Sequence, residues 1–150
     1  MSSHSTAGER VVLAFDFGLK RIGVAIGHEQ TGIASPLTTV IAQNNHPNWE
    51  AINSLINEWK PDALVLGLPV HMDGSEHEMT ILTRKFGQQL ATNFRLPVYE
   101  IDERLSSYEA EEQLKNRGKL LGKKTSINKK NKNKIDEIAA QIILQDWLNQ

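Results

Sequence analysis

The chain has 150 residues, 39% of them apolar, which suits one ordinary domain with a real core and leaves too little for two large lobes. Cysteine is absent, so disulfide frameworks and thiolate metal sites are excluded, in keeping with a reducing, cytoplasmic setting. The net charge of -1 conceals a strong asymmetry: Lys115 to Lys134 holds nine Lys or Arg and no acid, leaving eight basic against eighteen acidic residues elsewhere, a balance of -10. A polyanion would be drawn to that one segment and repelled by the rest of the surface.

Residues 1–10 are polar and lack the apolar core of a signal peptide, and no apolar stretch approaches a membrane span. The expectation is a disordered leader over 1–10, a single domain over 11–150 and no membrane partner. Val11 to Phe17 and Ile22 to Gly27 read as strands, and the link Gly18-Leu19-Lys20-Arg21 is too short for a helical crossover, so they should form an antiparallel hairpin. Ile33 to Val40 reads as a third strand, at a sheet edge because Pro36 has no N–H for a ladder. Asn44-Asn45-His46-Pro47 is turn-like, with Pro47 suited to a first helical position. Trp49, Ile52, Leu55, Ile56 and Trp59 then recur at helical spacing until Pro61.

Ala63 to Leu68 is a continuous apolar run, a buried strand parallel to the first because a helix precedes it. Met72-Asp73-Gly74 supplies a turn, and Ser75 with Glu78 has the spacing of a capping box. Met79, Leu82, Phe86 and Leu90 continue as the apolar stripe of a second helix. Pro97 to Ile101 is a fifth strand, and a third helix should start near Ser106, capped through Glu109. Residues 115–134 read as a basic mobile loop, and Ile135 to Leu148 as a last helix with Ile135, Ile138, Ala139, Ile142 and Ile143 on its apolar face. The sum is an α/β fold, a five-stranded mixed sheet with strand 2 antiparallel and about four helices on its faces.

Three carboxylate positions carry the chemistry. Asp16 ends an apolar strand, where an unpaired charge is costly and calls for a cation, either a metal ion or a nearby Lys or Arg. It could equally cap the turn that follows. Asp102-Glu103-Arg104 lies at the carboxyl end of the fifth strand, where ligands gather in open α/β sheets, and spacing alone does not choose between its two acids or exclude a solvated strand end. Asp136 lines up with Ala140, Ile143 and Trp147 on a helical wheel, which turns it along the buried face; as a first-turn acid with Asn133 for a cap it would instead answer the helix dipole. Should the three converge, their mutual repulsion demands a cation. Oxygen ligands without His or Cys then point to Mg²⁺ or Mn²⁺, and two ions roughly 4 Å apart would clamp a phosphodiester. The five histidines show no paired metal spacing, and Gly18 and Gly23 lack the strand-to-helix context of a nucleotide-binding loop.

At these residues the chain resembles the YqgF family, RNase H-fold proteins described as Holliday junction resolvases and as nucleases that mature the precursor of small-subunit ribosomal RNA. The matching motifs are Asp16-Phe17-Gly18 with Arg21-Ile22-Gly23-Val24-Ala25, Gly67-Leu68-Pro69 with Met72-Asp73-Gly74-Ser75, Asp102-Glu103-Arg104-Leu105-Ser106-Ser107, and Asp136 before Ala139-Ala140 and Ile143-Leu144-Gln145. The resemblance implies an RNase H-like sheet and makes Asp16, Glu103 and Asp136 the metal-binding catalytic carboxylates, choosing Glu103 over Asp102. It implies structured RNA or branched DNA as substrate and ribosomal precursor particles as partners; the converging carboxylates call for two Mg²⁺ or Mn²⁺ ions, and the oligomeric state stays open between monomer and homodimer, a symmetric four-way junction favouring the dimer. Lys20, Arg21 and Arg104 would contact phosphates, with Lys123, Lys124, Lys129 and Lys130 as a mobile clamp. His71 and Leu19 depart from the common pattern, which has Asn and a small polar residue there, and so bear on substrate contact rather than on the carboxylates.

Two rivals make different demands. A non-catalytic nucleic-acid binder in transcription or ribosome assembly would use the basic segment and tolerate loss of all three carboxylates. An ATPase of the actin and sugar-kinase type also has a strand ending in Asp-x-Gly, but needs two lobes around its nucleotide.

Overall fold

The computed structural model describes residues 10–44, 46–69, 77–103 and 129–150. Its elements in order are β1 (Val11–Asp16), β2 (Arg21–His28), β3 (Ile33–Gln43), β4 (His46–Pro47), α1 (Trp49–Trp59), β5 (Ala63–Pro69), α2 (His77–Phe94), β6 (Val98–Glu103) and α3 (Lys129–Leu148). The strands form one sheet in the order β4-β3-β2-β1-β5-β6. The four-residue link after β1 does close an antiparallel hairpin, Asp16 opposite Gly23, while β5 and β6 join parallel to β1 because helices carry the chain back between them.

Several boundaries differ from the sequence expectation. β3 continues to Gln43 instead of ending at Val40, and a sixth, two-residue strand follows: Asn44 takes the left-handed region at φ 51°, the chain reverses, and His46 and Pro47 pair with Gln43 and Ala42. Pro47 is therefore a strand residue, and Asn48 begins α1, its side-chain oxygen accepting from the Ala51 N–H at 3.1 Å. At the other end Lys60 is left-handed and donates its N–H to the Ile56 carbonyl, a C-cap placed just before Pro61. Pro36 lies beyond the reach of β4, so its missing N–H disturbs no ladder there, and a bulge gives β3 one extra residue between the partners of Val24 and Ala25. β6 runs to Glu103, two residues past the expected end, and the chain is already part of the fold at Arg10, whose carbonyl accepts from the Glu29 N–H.

Strand alternation sends two different sets of residues to the two faces. Leu13, Phe15, Ile22, Val24, Ile26, Leu64 and Leu66 face α1 and α2, where Ile52, Phe86 and Leu90 meet them; Phe86 stacks near Phe15, Phe17 and Trp49. Val12, Ala14, Ala25, Ala34, Ala63 and Val65 face α3 and its Ala140, Ile143 and Leu144. On α2 the buried stripe runs through Thr83, 1% exposed, rather than Leu82, 37% exposed. Leu82 lies roughly 60° or more around the helix from Met79, Thr83 and Leu90 at 100° per residue, so the sheet takes Thr83, whose hydroxyl donates to the Met79 carbonyl at 2.7 Å.

α3 starts at Lys129, inside the segment expected to be loop, so Lys129 and Lys130 belong to the helix and Asn133 lies within it rather than capping it. Its glutamines close the open side of β3: Gln145 accepts from the Ala34 N–H at 3.0 Å and donates to the Gly32 carbonyl at 2.7 Å, and Gln141 donates to the Ala34 carbonyl at 3.1 Å. The 1–9 leader, the Ser75 cap, the helix expected from Ser106, the basic residues of 115–128 and Asn45 fall outside the described residues. Among the described residues no helix is long and apolar enough to cross a membrane.

Candidate active site

The alternation that buries Val12 and Ala14 beneath α3 carries Asp16 to the same face at the carboxyl end of β1. Its cross-strand partner is Gly23. A Cβ placed on Gly23 would lie 2.0 Å from the Asp136 carbonyl oxygen and 3.1 Å from the Asp136 Cβ, so α3 rests directly on this glycine. Directly paired strand residues have Cα atoms about 5 Å apart, so residues 120 positions apart in sequence share one corner of the fold.

Asp136 is the eighth residue of α3, beyond the reach of the favourable end of the helix dipole. The dipole therefore does not explain a carboxylate at this position. Arg21 does so in part: its Nε donates to Asp136 Oδ2 at 2.6 Å, with the two side chains 33% and 21% exposed. Burial nonetheless raises the Asp136 pKa above its ordinary value of 3.8, outweighing the hydrogen bond and the charge of Arg21, both of which act downward. Burial thus acts on this carboxylate more strongly than its guanidinium partner does. Neighbouring Glu137 accepts from the Thr39 hydroxyl at 3.2 Å and ties the same turn of α3 to β3.

Glu103 ends β6 in register with Pro69 at the end of β5, so its backbone stands at the same carboxyl edge of the sheet as Asp16. Asp102, its neighbour, is exposed. Among the described residues no three His, Cys, Asp or Glu side chains form a cluster able to hold an ion. Asp16 and Asp136 are the two of the three expected carboxylates whose side chains are described, and a carboxylate is a hard oxygen donor of the kind that Mg²⁺ or Mn²⁺ takes. Lys20 is exposed in the link between β1 and β2, its carbonyl accepting from the Ala42 N–H at 2.8 Å. Arg104, Lys123 and Lys124 lie outside the described residues.

Two features escaped the sequence reading. Arg21, assigned there to phosphate, is the partner of Asp136, and the pairing spans 115 positions. Gly23 was read only as a hairpin residue. The available signal was the alternation of Gly23, Ala25 and Gly27 on one face of β2, a row of small residues that admits a helix at close range.

A family model described as "RuvX: Holliday junction resolvase" matches residues 10–150. The chain belongs to the RuvX family. The RuvX relatives agree over most of their length: a protein of Dechloromonas aromatica (strain RCB) is 50% identical over 136 residues, covering 91% of this chain and 88% of the relative. One of Nitrosococcus oceani is 43% identical over 150 residues, covering 100% and 93%. Both are named as pre-16S rRNA nucleases. Among solved structures, Thermus thermophilus RuvC in complex with a Holliday junction superposes with a TM-score of 0.54 at 17% identity, covering 94% of each chain. The fowlpox virus Holliday junction resolvase gives 0.51 at 16%, covering 93% of this chain and 98% of the other. The RuvX chain thus has the RNase H-like fold of the resolvases, the architecture expected from its motifs.

Proposed function

We propose that this RuvX nuclease hydrolyses phosphodiester bonds in a divalent-metal-dependent reaction, and that its substrate is the 5′ end of the pre-16S ribosomal RNA. The observation that supports the reading is Asp136 lying on Gly23, the strand partner of Asp16, so that the backbones of two residues distant in sequence share one corner of the fold. Asp16, Glu103 and Asp136 would hold the metal. Mg²⁺ or Mn²⁺, when bound, would stabilise charge on the reacting phosphate and make water a competent nucleophile near neutral pH. Arg21 keeps Asp136 oriented through its Nε, so a phosphate contact would fall to its Nη groups, beside the exposed Lys20. Arg104, Lys123, Lys124, Lys129 and Lys130 would add contacts to the backbone, which secure affinity without reading sequence. The close relatives, named for pre-16S rRNA, favour RNA processing; the reaction is assigned to ribosomal precursor particles in the cytoplasm, with a monomer or homodimer as the acting form. The family description favours a second reading, resolution of branched DNA.

The test is a cleavage panel of pre-16S RNA, unstructured RNA and four-way junction DNA with Mg²⁺ or Mn²⁺, run beside Asp16→Asn. The variant keeps shape and removes charge, so cleavage should fall by roughly a hundredfold or more and chelation should abolish the remainder. Undiminished, chelator-resistant cleavage by Asp16→Asn would sink the assignment.

A further inference from the structure

The carboxylates do not stand at the margin of this face. Arg21 pairs with Ile41 across β2 and β3, and Gln43 pairs with His46 across β3 and β4. Paired residues present side chains to the same face, and Thr39, two positions before Ile41, reaches Glu137 on α3. Ile41 and Gln43 therefore extend along the same face and the same end of the sheet as Asp16, Arg21 and Asp136. There they border a cavity of about 490 Å³ lined by Ile41, Gln43, Asn44, His46, Pro47 and Asn48. This volume falls within the roughly 300–1,000 Å³ typical of small-ligand sites.

The lining differs in kind from its surroundings. It contains no Lys, Arg, Asp or Glu among the described residues, although Lys20 and Arg21 lie one strand away. A cavity whose described lining is uncharged, next to cations, separates two parts of a ligand: a charged one for Arg21 and Lys20, a neutral one for the cavity. Ile41, 46% exposed, and Pro47 offer flat apolar surface, while Gln43, Asn44 and His46 offer donors and acceptors at the rim. A nucleotide has this division, a phosphate joined to a planar, neutral base with a hydrogen-bonding edge. Within the nuclease reading, on which this inference rests, we propose that the cavity seats an unpaired nucleobase of the substrate strand close to the bond that is cut. A base held in a duplex would keep its hydrogen-bonding edge occupied, so the site selects strands that are single or locally opened.

Binding can be tested apart from cleavage. Single-stranded RNA oligonucleotides, intact or abasic at one position each, are titrated by fluorescence anisotropy into the Asp16→Asn protein and into Asp16→Asn carrying Ile41→Ala and His46→Ala. Both added positions are exposed, so the fold should survive, and a thermal melt checks it. Loss of one particular base should weaken binding about tenfold when the cavity is intact and less than about twofold in the triple variant. Equal penalties at every position, a position-specific penalty that persists in the triple variant, or no binding of the oligonucleotide would each overturn the proposal. Chelator-resistant cleavage by Asp16→Asn would strike down the metal mechanism alone, since the base dependence is read without cleavage.

Discussion

The two faces of the sheet are packed on different principles. Toward α1 and α2 the strands present Leu13, Phe15, Ile22, Val24, Leu64 and Leu66, and the helices answer with Ile52, Phe86 and Leu90. Toward α3 they present Ala14, Ala25, Ala34 and Ala63 with Gly23 and Gly27, and α3 answers with Ala140 and Leu144. Large side chains hold helices at a distance and bury the most apolar area; small ones bury less but let a helix backbone touch the sheet. The first face supplies stability. The second gives up apolar area and lets α3 lie directly on Gly23, the strand partner of Asp16.

Substitutions on the two faces should therefore separate stability from activity. The largest loss of stability is expected for Phe86→Ala, about 3–5 kcal/mol by denaturant unfolding, while cleavage per folded molecule is preserved because no ligand of the site moves. An equal loss of specific activity in folded Phe86→Ala would show that the faces are not independent. Gly23→Ala should do the reverse. The added methyl meets backbone, which has no rotamer to yield, so α3 must shift; overpacking costs about 1–3 kcal/mol, and a displacement near 1 Å lowers cleavage on the order of a hundredfold. Wild-type kcat in Gly23→Ala would remove the close approach from the account.

Smaller effects sharpen the same contrast. Gln145→Ala leaves the Ala34 N–H and the Gly32 carbonyl without their helix partner, and a loss of about 1 kcal/mol in a urea titration is expected. The smallest is a pH effect at Asp136. Its carboxyl binds its proton more tightly in the folded state than in the unfolded chain, chiefly through burial, so in the window just above 3.8 the native state carries more protons. That contribution is fully present below 3.8 and is lost as pH rises through the folded value. Stability of the wild type relative to Asp136→Asn should decline across that window and then level off. A relative stability that instead rises with pH would mean that Arg21, and not burial, controls the group.

The order of strands and helices was legible in the sequence because each depends on local period and turn chemistry. The four-residue link Gly18 to Arg21 forces a hairpin, the run from Ala63 is too apolar to be an edge, and the Trp49 to Trp59 spacing is helical whatever surrounds it. Short or biased segments were less legible. The phase of α2 turned on whether the sheet accepted Leu82 or Thr83, and polar Lys129 to Lys134 joins a helix that packing farther along secures. Asp16 and Asp136 could be singled out from sequence, as acids placed where apolar residues were due. Only the tertiary structure decided that Asp136 lies over Gly23, the strand partner of Asp16, that Arg21 donates to Asp136, and that a cavity with no charged residue among its described lining continues along the same face at Ile41 and Gln43. Those facts depend on register and on how closely α3 can approach β2, and the approach is set by a missing side chain at Gly23 acting on a residue 113 positions away.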